Sequence, residues 1–432
     1  MRLELGRINV TGLKFTAGDE KARVENGILY VDVAALRDLV LKDTRIKSVE
    51  VELAMPGEKT RITPVKDVIE PRVKVSGDGK VFPGMIGNKV ETVGSGRTHV
   101  LSGAAVVTCG RIVGFQEGII DMSGLGADYT PFSKTNNVVL VIEPSDGLTQ
   151  YDYEDAARQA GLRSASLLGE LAAELIPDSV EAYETPTITE GMNKWPELPR
   201  VGYVCMLQSQ GLLHDTYVYG VDAKKIMPTI LYPTEIFDGA ITSGNCVSAC
   251  DKNTSYHHLN NPVVHDLFEK HGKEINFVGV VITNENVFLA DKERSSNQTA
   301  KLCEYLGLDA VIISEEGFGN PDTDLIMNCK KIEMKSIKTV VITDEYAGRD
   351  GRSQSLADAD VRANAMVSGA NANEVIILPP MDRIIGMLDF TDKIAGGFDG
   401  SLRPDGSIEA EIQVITGATN ELGFNKLTAV EM

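Results

Sequence analysis

Beyond Pro199 short β-branched runs alternate with helix-like stretches, and few folds can accommodate that alternation. The runs cover residues 201–206, 277–282, 310–313, 339–342 and 374–378, with helical spacing between several of them, as at 296–305 and 324–335. Strands joined by crossover helices form a parallel sheet covered on both faces. The expected class is therefore α/β, the C-terminal half being a mostly parallel sheet with flanking helices. Sheets of this kind bind ligands beyond the carboxyl ends of their strands. The residues at those ends are Asn284 and Glu285, Glu315 and Glu316, and Asp344 and Glu345.

The N-terminal half reads as α+β and strand-rich. Asn26-Gly27 between 21–24 and 28–31 is a hairpin signal, and Asp32 is placed to cap a helix over 33–41 ahead of a strand at 46–53. Residues 73–143 stay strand-like and glycine-rich. Helical spacing returns over 153–175, putting Leu167, Leu168, Leu171 and Leu175 on one face, and stops before Pro177. Residues 184–199 hold three of the 17 prolines and the only tryptophan, the mark of a linker or border. The expected organisation is a β-rich region with hairpin and short helix over 1–72, an α+β domain over 73–183, and an α/β domain over 200–432. A long insertion, 208–262, interrupts the last of these.

With 62 acidic against 42 basic residues the net charge is −20, which repels nucleic acids and anionic membrane surfaces. No apolar run is long enough to span a bilayer, and Met1 to Gly6 alternates like a strand where a signal peptide needs an apolar stretch. The six cysteines are scattered, so reduced thiols and a cytoplasmic setting are expected, and the sequons at Asn253 and Asn297 would go unused.

The insertion carries the densest chemistry, running Thr242-Ser243-Gly244-Asn245-Cys246-Val247-Ser248-Ala249-Cys250-Asp251 and on to Tyr256-His257-His258 and Asn260-Asn261-Pro262. Three readings compete. In the first, the Cys246 thiol attacks the Asn245 carbonyl, the flexible Gly244-Asn245 pair permitting the strained geometry. β-Elimination from the resulting thioester then releases the upstream chain as a thioacid and leaves dehydroalanine, which tautomerises and hydrolyses to a pyruvoyl group at a new N-terminus. In the second, Cys246, Cys250, His257 and His258 bind zinc, although adjacent histidines reach one ion with difficulty. In the third, the cysteines are small buried hydrophobes and the histidines are hydrogen-bonding loop residues.

This string resembles the precursor of the alpha and beta subunits of component B of glycine, sarcosine and betaine reductases. It is similar, more distantly, to the D-proline reductase proprotein. The opening Met1-Arg2-Leu3-Glu4-Leu5-Gly6 and Glu315-Glu316-Gly317-Phe318-Gly319-Asn320 look similar too, as does the overall length. The resemblance implies a pyruvoyl-dependent oxidoreductase of anaerobic amino-acid fermentation, cut at Asn245–Cys246. Its pyruvoyl group, derived from Cys246, would form a Schiff base with the substrate amine. The implied partners are a selenoprotein subunit of component B, whose selenolate would displace the nitrogen, and selenoprotein A, which would take up the carboxymethyl group before acetyl phosphate forms. The two cleavage products would also partner each other. Betaine, with its quaternary nitrogen, cannot form the Schiff base.

Other candidates stand beside these. Cys250 is a possible second thiol in processing, or a structural cysteine. One of His257 and His258, rather than both, is expected to shuttle protons. Glu315 and Glu316 are placed to bind a substrate ammonium. Asn320 lies in a turn into a helix starting near Asp322 or Thr323, whose free N–H groups can hold a carboxylate, as can Arg349 and Arg352. An α/β small-ligand-binding module without catalysis and a zinc-dependent hydrolase remain the alternatives to the pyruvoyl enzyme.

Overall fold

The computed structural model describes residues 1–211, 213, 216–244, 253–353, 356–419, 422 and 428–431. Strand β1 (Arg2–Asn9) buries Leu3, Leu5 and Ile8. In the hairpin that follows, Arg23–Glu25 pairs antiparallel with Ile28–Val31. Asn26 (φ 51°) and Gly27 (φ 76°) both take the left-handed backbone that this tight turn requires. The Asp32 carboxylate accepts the Ala35 N–H at 2.9 Å and starts the helix Val33–Val40, which leads to the strand Ile46–Ala54.

The rest of the N-terminal half comprises β2 (Thr60–Ile69), β3 (Arg72–Ser76), β4 (Gly96–Ser102), β5 (Ala104–Cys109), β6 (Asn136–Pro144), helix α1 (Gln150–Glu170) and β7 (Ser179–Glu184). They form a four-stranded sheet in the order β7-β1-β4-β3 and a six-stranded sheet. In the larger sheet Gly118–Asp121, β2, β5, β6 and Ile46–Ala54 are neighbours in that order, and Arg383–Gly386 returns from the far end of the chain to pair with β2.

Helix α1 ends at Glu170, short of the expected Leu175. Beyond it Leu171, Ala172, Ala173 and Leu175 bond back three residues, a tightened 3₁₀-like continuation. Leu168 is buried, Leu171 and Leu175 are half-buried and Leu167 faces solvent, because neighbours on a helix are about 100° apart and cannot share one narrow face. The proline-rich stretch is more ordered than a plain linker: Thr187 and Glu190 form a capping box on the helix Ile188–Lys194.

The second half is built on β8 (Arg200–Leu207). After it come β9 (Ile241–Ser243), the short helix α2 (Ser255–Leu259), α3 (Pro262–Lys270), β10 (Asn276–Asn284), α4 (Leu289–Tyr305), β11 (Ala310–Ser314), α5 (Asn320–Glu333), β12 (Lys338–Glu345) and β13 (Ala365–Asn371). The inner strands of a seven-stranded sheet run parallel in the order β10-β8-β11-β12-β13, with Thr229–Leu231 and Thr428–Glu431 as antiparallel edges. The α/β expectation holds, with one correction. The run at 374–378 is not the fifth parallel strand: Val375–Leu378 pairs antiparallel with Ile408–Glu411 in a separate two-stranded sheet. Strand β13 takes its place, and with Val367 its only β-branched residue it carries little strand signal.

Side chains of β8 alternate between two cores. Val204 and Met206 pack with α4 and α5, through Ala300, Cys303, Leu325 and Ile332. Tyr203, Cys205 and Leu207 pack with Val263, Val264 and Leu267 of α3 and with Leu3, Leu5 and Val100 of the N-terminal sheet. A strand buried on both faces matches the near-continuous apolar pattern of its sequence. The insertion forms a three-stranded sheet of Val221–Asp222, Thr216–Val218 and β9, together with α2. No helix among the described residues is long and apolar enough to cross a membrane.

Gly169 lets α1 lie against β3, since an added Cβ would stand 2.3 Å from the Arg72 carbonyl oxygen. Because the obstacle is backbone, Gly169→Ala is expected to lower stability by about 1–3 kcal/mol, read as a lower denaturant midpoint with an unchanged slope.

Candidate active site

The carboxyl ends of the parallel strands bring together Gln208 and Ser209 after β8, Glu285 after β10, Glu315 and Glu316 after β11, and Asp344 within β12, all buried. Glu316 is the hub. Its Oε2 accepts the Gln208 N–H at 2.8 Å and the Thr216 hydroxyl at 2.6 Å, and its Oε1 lies 3.3 Å from His258 Nε2. The Glu316 N–H in turn donates to Glu285 Oε1 at 2.7 Å. Thr343 donates its hydroxyl to Glu315, and Thr419 donates to Asp344 at 3.2 Å.

Several buried polar atoms of this cluster have no hydrogen-bond partner among the described residues, among them Glu285 Oε2, Gln208 Oε1 and His258 Nδ1. Leaving such an atom unsatisfied costs about 1–3 kcal/mol. Burial, reinforced by the charges of Glu316, Glu315 and Asp324, pushes the Glu285 carboxyl well above the ordinary range, although the Glu316 N–H pulls the other way. Glu285 is therefore held toward its protonated form.

The insertion roofs this crevice. Thr254 caps α2, its Oγ1 accepting the His257 N–H at 3.3 Å while its own N–H donates to His257 Nδ1 at 3.1 Å. The His257 ring lies 4.9 Å from that of Phe132, and an added Cβ at Gly417 would stand 2.8 Å from its Cε1. His258 points instead to Glu316. The adjacent imidazoles are thus engaged separately, His257 with Thr254 and His258 with Glu316. No group of three or more His, Cys, Asp or Glu side chains among the described residues is arranged for a metal.

Both ends of the roof are tied to the rest of the fold. Asp67, buried on β2, accepts the Ser255 N–H at 2.9 Å and the Ser255 hydroxyl at 2.8 Å, and Ser255 Oγ accepts the Ser243 N–H at 3.1 Å. Arg72 pairs with Glu70 and donates to the Phe237 carbonyl at 2.5 Å and to Asn260 Oδ1 at 2.8 Å. Asp238 accepts from Lys74, from the Gly94 N–H at 2.8 Å and from Thr98 at 2.5 Å. Below α2, Asn261 reaches the Tyr203 hydroxyl, which bonds Ser314 Oγ at 2.6 Å.

Among the expected site residues, His258, Glu315 and Glu316 meet in the crevice, and His257 is buried beside it. Asn245, Cys246 and Cys250 lie outside the described residues, between Gly244 and Asn253. Asn320 opens α5 at the crevice mouth, its Nδ2 2.5 Å from Gln210 Oε1. Asp322, in the first turn of that helix, accepts the Gly319 N–H at 2.7 Å and the Ala357 N–H at 2.6 Å. Arg349 pairs with Glu411 at 2.8 Å and lies over Phe398, engaged away from Glu316. Sequence reasoning passed over Asp67, Ser255 and Gln208. The one available hint was the charged pair Lys66-Asp67 inside a β-branched run.

Over residues 1–430 the chain matches the family described as glycine/sarcosine/betaine reductase component B subunits. It is 67% identical over 429 residues to the glycine reductase complex component B subunits alpha and beta of Peptoclostridium acidaminophilum, covering 99% of each chain. The sarcosine reductase complex component B subunit alpha of the same organism is 58% identical, also over 99% of each. Its betaine reductase complex component B subunit alpha is 37% identical over 100% of each. No solved structure matches.

A raised carboxyl makes a definite pH signature. Unfolded, Glu285 ionises near the ordinary 4.5, whereas folded it resists ionisation, so its contribution to stability is complete below that range and is lost as pH rises toward the folded value. Glu285→Gln keeps the accepting oxygen and cannot ionise. Thermal melts should therefore show the variant close to wild type at about pH 4 and more stable at about pH 7–8.

Proposed function

Because this chain belongs to the family of glycine/sarcosine/betaine reductase component B subunits, we propose that it is the proprotein of a pyruvoyl-dependent reductase component, cut between Asn245 and Cys246, that takes glycine as its substrate. The observation that carries this reading is the buried acidic cluster at the carboxyl ends of the parallel strands, Glu285, Glu315 and Glu316, with His258 of the insertion 3.3 Å from Glu316. The identity falls from 67% to 58% to 37% across the glycine, sarcosine and betaine relatives, which favours glycine, with sarcosine second.

A pyruvoyl carbonyl at position 246 supplies an electrophile for the substrate nitrogen. The cluster at the ends of the parallel strands suits such a group, being buried, acidic and able to exchange protons. Glu316, with Glu315 beside it, attracts the substrate ammonium and removes the need for bulk water there. His258, held by Glu316 through Nε2, can take or give a proton at Nδ1. Glu285, held toward its neutral form, keeps a proton available next to the Glu316 backbone. A quaternary nitrogen has no N–H to offer these carboxylates, which sets betaine apart.

The chain contains no selenocysteine. In this reading a selenoprotein subunit of component B therefore supplies the reducing nucleophile, and selenoprotein A receives the carbon fragment. The products 1–245 and 246–432 are each other's partner.

Intact-mass measurement under reducing, anaerobic conditions tests the reading. The expected result is two fragments divided at Asn245–Cys246, the C-terminal one taking up a hydrazine, and a single unreactive chain for Cys246→Ala. An uncut wild-type chain that ignores hydrazine, even with its partners present, would leave the small-ligand-binding module standing. In the reconstituted reductase, Glu316→Gln removes a charged hydrogen bond worth about 1.5–3 kcal/mol, so KM for glycine should rise roughly ten- to hundredfold.

A further inference from the structure

We infer that Asp67 and Ser255 are positioning residues for the self-cleavage, forming a clamp that holds both ends of the processed segment. The inference rests on the cleavage reading given above. Asp67 comes from the N-terminal half, far from the insertion in sequence, and it is fully buried on β2. Its own backbone is fixed, since its N–H donates to Thr108 Oγ1 at 3.0 Å, and its Oδ1 also accepts the Val68 N–H at 2.8 Å. A carboxylate in such a place needs donors, and Ser255 supplies two of them, its N–H and its hydroxyl.

The hydroxyl sets the polarity of the clamp. A serine hydroxyl has one proton to give, and here it goes to Asp67 Oδ2. The Ser255 oxygen is then left only its lone pairs, and one of them receives the Ser243 N–H at 3.1 Å, across 12 residues of chain. One carboxylate thereby fixes the strand that enters the processed segment, through Ser243, and the helix that leaves it, through the first residue of α2.

The chemistry needs that fixity. In the first step the Cys246 sulfur bonds to the Asn245 carbonyl carbon, the amide carbon–nitrogen bond breaks, and the thiol proton ends on the freed nitrogen. Loss of the Cys246 α-proton with breakage of its Cβ–S bond then releases the upstream chain as a thiocarboxylate and leaves dehydroalanine. One water hydrolyses the imine tautomer to the ketone and releases ammonia, so no oxidant or reductant is consumed. The first step depends on sulfur and carbonyl meeting at contact distance, where a 1 Å error can cost on the order of a hundredfold in rate.

Two variants test the clamp in the full-length chain. Ser255→Ala and Asp67→Asn are each expected to slow formation of the two fragments about ten- to hundredfold, and hydroxylamine, which intercepts thioesters, should release correspondingly less of the 1–245 fragment. Ser255→Thr, which keeps the hydroxyl, should restore the rate, an effect that a merely structural role would not produce. If Asp67→Asn fails to fold, Ser255→Ala decides, since it removes only the hydroxyl. Processing of Ser255→Ala at the wild-type rate overturns the clamp while leaving the pyruvoyl reading intact. A wild-type chain that never cuts overturns both.

Discussion

A charged group taken out of water must be paired or hydrogen-bonded, and β2 and β3 with their connection carry Arg61, Lys66, Asp67, Glu70 and Arg72 into the interior. Some find partners locally: Arg61 makes a two-pronged contact with Asp121 at 2.6 and 2.8 Å, and Lys66 lies 3.6 Å from Glu117. Others are engaged by the insertion as well: Asp67 accepts from Ser255 in addition to the Val68 N–H, and Arg72, already paired with Glu70, donates to the Phe237 carbonyl and Asn260. These bonds hold the insertion against the N-terminal half and over the carboxyl end of the parallel sheet.

A related tension shapes the crevice. Glu285, Glu315, Glu316 and Asp344 are buried within one cluster, and like charges at such distances oppose one another. Backbone N–H groups and hydroxyls relieve part of that repulsion, and the raised Glu285 relieves more by keeping its proton. The remainder is an electrostatic deficit that a cationic group would reduce on entering.

Much of this was readable in advance where local physics decides. Asn26-Gly27, Asp32 and the β-branched runs each specify their structure within a few residues, and Glu315 and Glu316 were placed by the general habit of parallel sheets. What was not readable depends on contacts distant in sequence. Asp67 meets Ser255 across 188 residues, and Arg383–Gly386 joins β2 from the opposite end of the chain. Strand β13 was missed for another reason: a Ser, a Gly, Ala and Asn can form a strand when neighbours on either side supply the hydrogen bonds, although their own preferences are weak.

The position of β8 dictates an order of events. It lies upstream of residue 245, yet it is the strand between β10 and β11, both of which lie downstream. A break at that point would leave a sheet assembled from two polypeptides, β8 and the edge Thr229–Leu231 on one and β10 to β13 on the other. Folding must then precede cutting, because the uncut chain closes this sheet as a unimolecular process, whereas separated pieces would have to find each other at the dilution of the solution. Once matured, such a protein would owe its persistence to the barrier against unfolding, and denaturing it would be a one-way passage.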